Sequence, residues 1–168
     1  MNHDLEHRSA LALQEALHEV ACRADRFFTG TSVVVCHTLD GLPYHPMNEG
    51  WPVEPELGLA DNLLTLAHRD SPYHDGFHLL TPDLRFIKVA CYLAPGIPDE
   101  PPRVSFAGRG SRFSTAYFMS LLRPVVCVGI VGIQRDVTVF RQGTMLAARP
   151  PCRGMPPPHA GRLLAQCS

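Results

Sequence analysis

The spacing of apolar residues predicts alternating helices and strands along most of the chain. Residues 4–28 place Leu13, Leu17, Val20, Ala24 and Phe27 on one face of a helix, with Glu15, Glu19, Arg23 and Arg26 elsewhere and Gly30 as a stop. The β-branched run Thr31–His37 predicts a buried strand. Residues 39–56 carry Pro43, Pro46, Pro52 and Pro55 with Gly41 and Gly50, which predicts an irregular excursion. Glu56–Arg69 follows as a helix through Leu59, Leu63, Leu66 and Ala67. Gly76–Leu80 and Phe86–Leu93 then read as a hairpin turning at Thr81, Pro82 and Asp83. After a Pro/Gly-rich loop over 94–110, Arg112–Leu122 reads as a helix. Val125–Ile133 and Val137–Arg141 read as two strands joined near Gln134, Arg135 and Asp136.

This order, α-β-α-β-β-α-β-β, contains both hairpins and crossovers, so it predicts an α/β fold with a mixed central sheet flanked by helices. Residues 1–146 read as a single domain. Residues 147–168, with Pro156, Pro157 and Pro158, read as a Pro-rich tail that is poorly ordered or forms a short last helix.

Composition narrows the function classes. At 168 residues the chain suits one domain able to bury roughly 70% of its unfolded surface. Its 45% hydrophobic content argues against disorder. Fifteen Lys+Arg balance 16 Asp+Glu for a net charge of −1, so no broad positive field exists to bind nucleic acid, and any anion site must be local. Lys88 is the one lysine; it falls mid-strand without a glycine-rich loop before it, which speaks against Schiff-base or P-loop chemistry. No apolar run approaches a membrane span, and the polar N-terminus does not read as a signal peptide. The six cysteines therefore read as thiols of a cytoplasmic protein, with Cys36, Cys91 and Cys127 in apolar strands and no C-x-x-C pair to anchor a structural zinc.

Two stretches carry candidate chemistry. Ala107–Arg112 is a glycine-rich loop running into a helix, an arrangement whose free N–H groups and dipole favour an anion. Gly110 permits close approach of a phosphate, Ser111 caps the helix or offers its hydroxyl, and Arg109 and Arg112 add charge-assisted hydrogen bonds; an ordinary loop with solvated arginines has the same composition. The second stretch, His74–His78, puts Asp75 and Gly76 at the mouth of a strand, where a carboxylate can hold a divalent metal or accept a hydroxyl proton, though an Asp-Gly turn needs no function. A zinc site pairing His74 with His78 and Cys36 or His37 is a weaker alternative, since i and i+4 share a face only on a helix. Trp51 and Tyr44 read either as base-stacking groups or as covers of a sheet edge.

Together these stretches resemble the diadenylate cyclase domain, the nucleotide-binding domain of the DNA integrity scanning protein and its relatives. That family has Asp-Gly-Ala at a strand start, then Gly-Thr/Ser-Arg-His-Arg-x-Ala opening a helix, then two strands, the second closing in Val-x-x-Phe-x-x-Gly. The counterparts here are Asp75-Gly76-Phe77, then Gly110-Ser111-Arg112-Phe113-Ser114-Thr115-Ala116, then Val137 through Phe140 to Gly143, with Gly30-Thr31 before Val33–Val35 as the early strand. The resemblance covers about residues 10–146. It implies a domain that binds ATP, with Asp75 as the catalytic and metal-side carboxylate, Gly76, Arg109, Gly110, Ser111 and Arg112 at the phosphates, and Mg²⁺ or Mn²⁺ if the domain is active. Condensing two ATP into cyclic di-AMP further implies a homodimer with its sites face to face.

The departures bear on activity. Phe113 and Ser114 stand where the family has His and a second Arg, and the family's Ser-Glu-Glu corresponds to about Val131-Gly132-Ile133, with no acid before Asp136. Phosphoryl-type transfer depends on charge stabilisation. The expectation is therefore a nucleotide-binding domain that is catalytically weak or inactive. The alternatives are an active cyclase in which Arg109, Asp136 or His78 supplies the missing groups, and a non-catalytic module binding a partner protein or another small molecule.

Overall fold

The computed structural model describes residues 2–150 and residue 152. A mixed seven-stranded sheet in the order β2-β4-β3-β1-β5-β6-β7 forms its centre. Helix α1 (Asn2–Arg23) leads into β1 (Thr31–Cys36), then β2 (Tyr44–Pro46), α2 (Leu59–Leu66), β3 (Phe77–Leu80) and β4 (Phe86–Leu93). Helix α3 (Gly110–Met119) precedes β5 (Val125–Val131), β6 (Val137–Arg141) and β7 (Thr144–Met145). Strands β1 and β3 pair in parallel and every other pairing is antiparallel. This is the α/β fold with a mixed sheet that the element order predicts.

Alternation along β1 separates two cores. Val33 and Val35 meet Leu13, Leu17 and Val20 of α1 and Leu63 of α2. Val34 and Cys36 join Phe113, Ala116 and Met119 of α3 on the opposite face. Strand β5 is buried throughout, which is why its sequence, VVCVGIV, is apolar without alternation. Gly129 on β5 marks where α1 crosses: a Cβ there would stand 3.1 Å from Leu13 Cδ2 and closer still to Leu17 Cδ1. Gly129→Ala is expected to cost about 1–3 kcal/mol by overpacking, read as a lower urea midpoint with an unchanged m-value.

Several local expectations change. The excursion over 39–56 contains the edge strand β2, whose Pro46 is tolerated because an edge strand needs no donor on its outer side. Thr144 and Met145, for which no strand was expected, pair with β6 as β7. Residues 151 and 153–168, including the triple proline and any last helix, lie outside the described residues. The segment after β7 runs back along α1, where Gln14 Nε2 donates to the Ala147 carbonyl at 2.9 Å. It brings Cys152 to Cys22 with Cα atoms 5.5 Å apart, within the range a disulfide spans, and the two are joined; not all the cysteines are thiols, contrary to the sequence expectation. Among the described residues no helix is long and apolar enough to cross a membrane.

Candidate functional site

Topology gathers the sequence candidates at one end of the sheet. Parallel pairing puts the starts of β1 and β3 together, and Thr31 opposite Val131 brings the end of β5 to the same place. Val131 pairs in turn with Val137, so the turn carrying Asp136 also reaches this end. The first turn of α3 presents Arg112 there, its Nη2 standing 3.8 Å from Asp75 Oδ1.

Arg112 sits over Gly30. A Cβ on Gly30 would fall 2.5 Å from Arg112 Nη1 and 2.9 Å from the Val131 carbonyl, and the residue has φ +90°. Gly30, read from sequence as a helix stop and a match to the family's early strand, thus makes the seat for the guanidinium. Gly76 is similarly constrained, with φ +83° and the Cys91 carbonyl 2.7 Å from where a Cβ would stand. Next along the same end, a Cβ on Gly132 would run into the Asp136 carboxylate. Asp136, Gly132, Gly30, Arg112 and Asp75 therefore form one continuous surface.

Arg112 is the cation of this surface, which also carries the carboxylates of Asp75 and Asp136. Arg112 is about one-third exposed, burial pushing its pKa down and Asp75 pulling it up. An arginine stays charged under such opposition. Asp75 is 78% exposed and already accepts the Gly76 N–H at 2.8 Å, so its attraction for Arg112 across 3.8 Å is a loose surface pair worth little. Among the described residues Asp75 is the one carboxylate within salt-bridge reach of the guanidinium. The start of α3 has no side-chain cap: Arg109 is the cap residue, and Ser111, expected as a cap, lies inside the first turn with its side chain exposed. Its N–H groups are thus without a side-chain acceptor.

Other candidates are placed elsewhere. Arg109 stacks its guanidinium 4.9 Å over the Phe113 ring and lines a separate cleft of about 230 Å³ with Gln14, His18 and Asp136. Phe113 is buried against Phe106 and Phe140 in the core rather than facing the cleft end. His78 is buried, accepts the Ala90 N–H at Nδ1, and is held neutral by burial and by Arg112, its pKa lowered to about 4. It brings no charge to the site. The zinc pairing of His74 with His78 does not form: His74 Nδ1 donates to the Ser71 carbonyl at 2.7 Å while His78 points into the core. Trp51 lines a distinct groove with Leu84 and Phe86, and Tyr44 covers the sheet edge in β2. Burial raises the thiols of Cys36 and Cys91 to about 11 and Cys127 to about 12, which leaves them inert as nucleophiles.

A resident Mg²⁺ or Mn²⁺ needs several oxygen ligands converging on one point. Asp75 belongs to no metal-holding group among the described residues, and the cation nearest its carboxylate is Arg112. The site does not fit a divalent ion held by the protein alone.

No protein-family model matches the chain, and no curated protein matches it. Among solved structures it is similar to a hypothetical membrane spanning protein from Bacillus cereus, with TM-score 0.57 and 18% identity over 82% of this chain. It spans 62% of that protein's chain. It is also similar to a double mutant of DacA from Staphylococcus aureus, with TM-score 0.50 and 19% identity over 86% of this chain and 89% of that one. At these identities the likeness is one of fold: the chain is an α/β domain with a mixed seven-stranded sheet and flanking helices, as in DacA.

Proposed function

We propose that the protein is a divergent relative of the diadenylate cyclases that binds ATP at the sheet end formed by Gly30, Asp75, Gly76, Gly110, Ser111 and Arg112, with weak or no turnover. The observation that carries this reading is the seating of Arg112, over Gly30 and beside Asp75 at an uncapped helix start, in a fold shared with the diadenylate cyclase DacA. A half-buried arginine next to free backbone N–H groups suits a phosphate better than a carboxylate already bonded to its own backbone.

The same geometry argues for slow chemistry. Phe113 is part of the core, Ser114 carries no charge, His78 is neutral and Arg109 is turned over the Phe113 ring, so the positive charge that α3 sets beside Asp75 is that of Arg112. Loss of one transition-state arginine costs on the order of 10³-fold in phosphoryl transfer. Mg²⁺ or Mn²⁺ enters this reading with the ATP phosphates, as it commonly does. With ATP as its ligand the protein would act in the cytoplasm, and turnover would require two copies face to face.

Incubating the purified protein with ATP and Mn²⁺, then measuring cyclic di-AMP, tests the catalytic half of the proposal. The expected result is little or no product. Product that disappears in Asp75→Asn would instead establish an active cyclase, with Asp136 as the acid nearest the place where the family has one.

A further inference from the structure

Three side chains outside that site converge where α1 meets the chain beyond β7. His18 and Cys22 are four residues apart, so they share a face of α1. Cys152 arrives from the far end of the described chain, and one ligand atom from each of the three lies within 4.8 Å of the others. His18 Nε2 stands 3.6 Å from Cys22 Sγ. A tetrahedral zinc with Zn–S of about 2.3 Å and Zn–N of about 2.0 Å sets its sulfur and nitrogen ligands about 3.5 Å apart. The helix therefore already holds two ligand atoms at the spacing that zinc requires.

We propose that in the reduced protein His18, Cys22 and Cys152 bind Zn²⁺, and that the Cys22–Cys152 disulfide is the oxidised form of this site. Two thiolates and an imidazole are a soft donor set that selects zinc over magnesium or manganese. Cys22 is exposed, while His18 and Cys152 are partly exposed, so an ion has a path in. His18 and Cys152 also line the cleft of about 230 Å³ that contains Gln14, Arg109 and Asp136. The fourth coordination position opens toward that cleft and takes water, the arrangement of an open rather than a closed zinc site. The assignment uses none of the residues proposed to hold ATP, so either can fail without the other.

A phosphine reductant supplies two electrons to the disulfide and becomes its oxide with the oxygen of water, whose two protons go to the sulfurs. When Zn²⁺ binds, each thiol releases its proton to solvent as the Zn–S bond forms. Among the described residues the other cysteines, Cys36, Cys91 and Cys127, are buried and do not compete.

The test is a titration of the reduced full chain with Zn²⁺ against a chromophoric chelator, and with Co²⁺ for its sulfur-to-metal charge-transfer band. One equivalent should bind, with the band present in the native sequence and absent in the disulfide form. Both Cys22→Ser and His18→Gln should weaken binding by about 10-fold or more, since even residues that only support ligands contribute that much. Both positions lie on the surface of α1, so the variants retain the fold. Unchanged affinity in His18→Gln would overturn the site, leaving a disulfide alone. Uptake by the reduced chain no greater than by the oxidised chain would overturn it as well.

Discussion

Lowering the pH from 7 to 4 is expected to remove about 3 kcal/mol of stability through His78 alone. Its folded-state pKa is lowered to about 4, chiefly by burial and secondarily by Arg112, against an ordinary value of 6.5. Between these values the unfolded chain binds a proton that the folded chain does not. Stability is therefore full above pH 6.5 and falls as the pH drops toward 4, about 1.4 kcal/mol per unit at most. Glu6 adds a loss at lower pH, because His37 and Arg141 hold its carboxyl below the usual value. Denaturant midpoints at pH 7 and pH 5 isolate His78 from Glu6. His78→Asn keeps an acceptor for the Ala90 N–H and should flatten this dependence; an equally steep dependence in that variant would place its origin elsewhere.

Replacing Gly30 by alanine should cost more than the same change at Gly41. Both have positive φ, +90° and +76°, so each alanine carries a backbone strain of about 1 kcal/mol. A Cβ on Gly41 meets nothing within 4 Å, whereas one on Gly30 meets Arg112 and the Val131 carbonyl. The carbonyl belongs to the β1–β5 ladder and cannot move, so Arg112 must leave its seat. The expected penalty for Gly30→Ala is about 1–3 kcal/mol beyond that of Gly41→Ala, together with a loss of ATP binding that Gly41→Ala does not show. Urea midpoints and ATP titrations of the two variants measure both parts. Equal penalties would mean that Arg112 does not need the space that Gly30 leaves.

Much of the fold is legible in the sequence because each long element has its own period. Leu13, Leu17 and Val20 repeat at helical spacing, and the β-branched runs of β1 and β5 are continuous because both sheet faces are covered. Strand β2 escapes such reading because three residues ending in Pro46 have no period; its place is set by pairing with Cys91–Leu93. The candidate loop is legible from its glycines and arginines, but the direction each side chain takes is not. Arg112 faces the sheet end and Arg109 turns over Phe113, a choice made by the aromatic core beneath α3. Gly30 looks in sequence like a stop signal, and its tertiary role depends on Arg112, far along the chain. The pairing of Cys22 with Cys152 across 130 positions leaves no local signature at all.

Anchoring of a nucleotide by Arg112 is tested most directly by the melting temperature of the protein with and without millimolar ATP, in the native sequence and in Arg112→Ala. A ligand at a hundredfold excess over its Kd adds about 2.7 kcal/mol, which in a domain of this size raises Tm by about 5–10 °C. Removing the arginine takes away about 1.5–3 kcal/mol of binding, a 10- to 100-fold weaker Kd. A clear rise is expected in the native protein, largely lost in Arg112→Ala. No rise with ATP, or the same rise in both proteins, would contradict that anchoring.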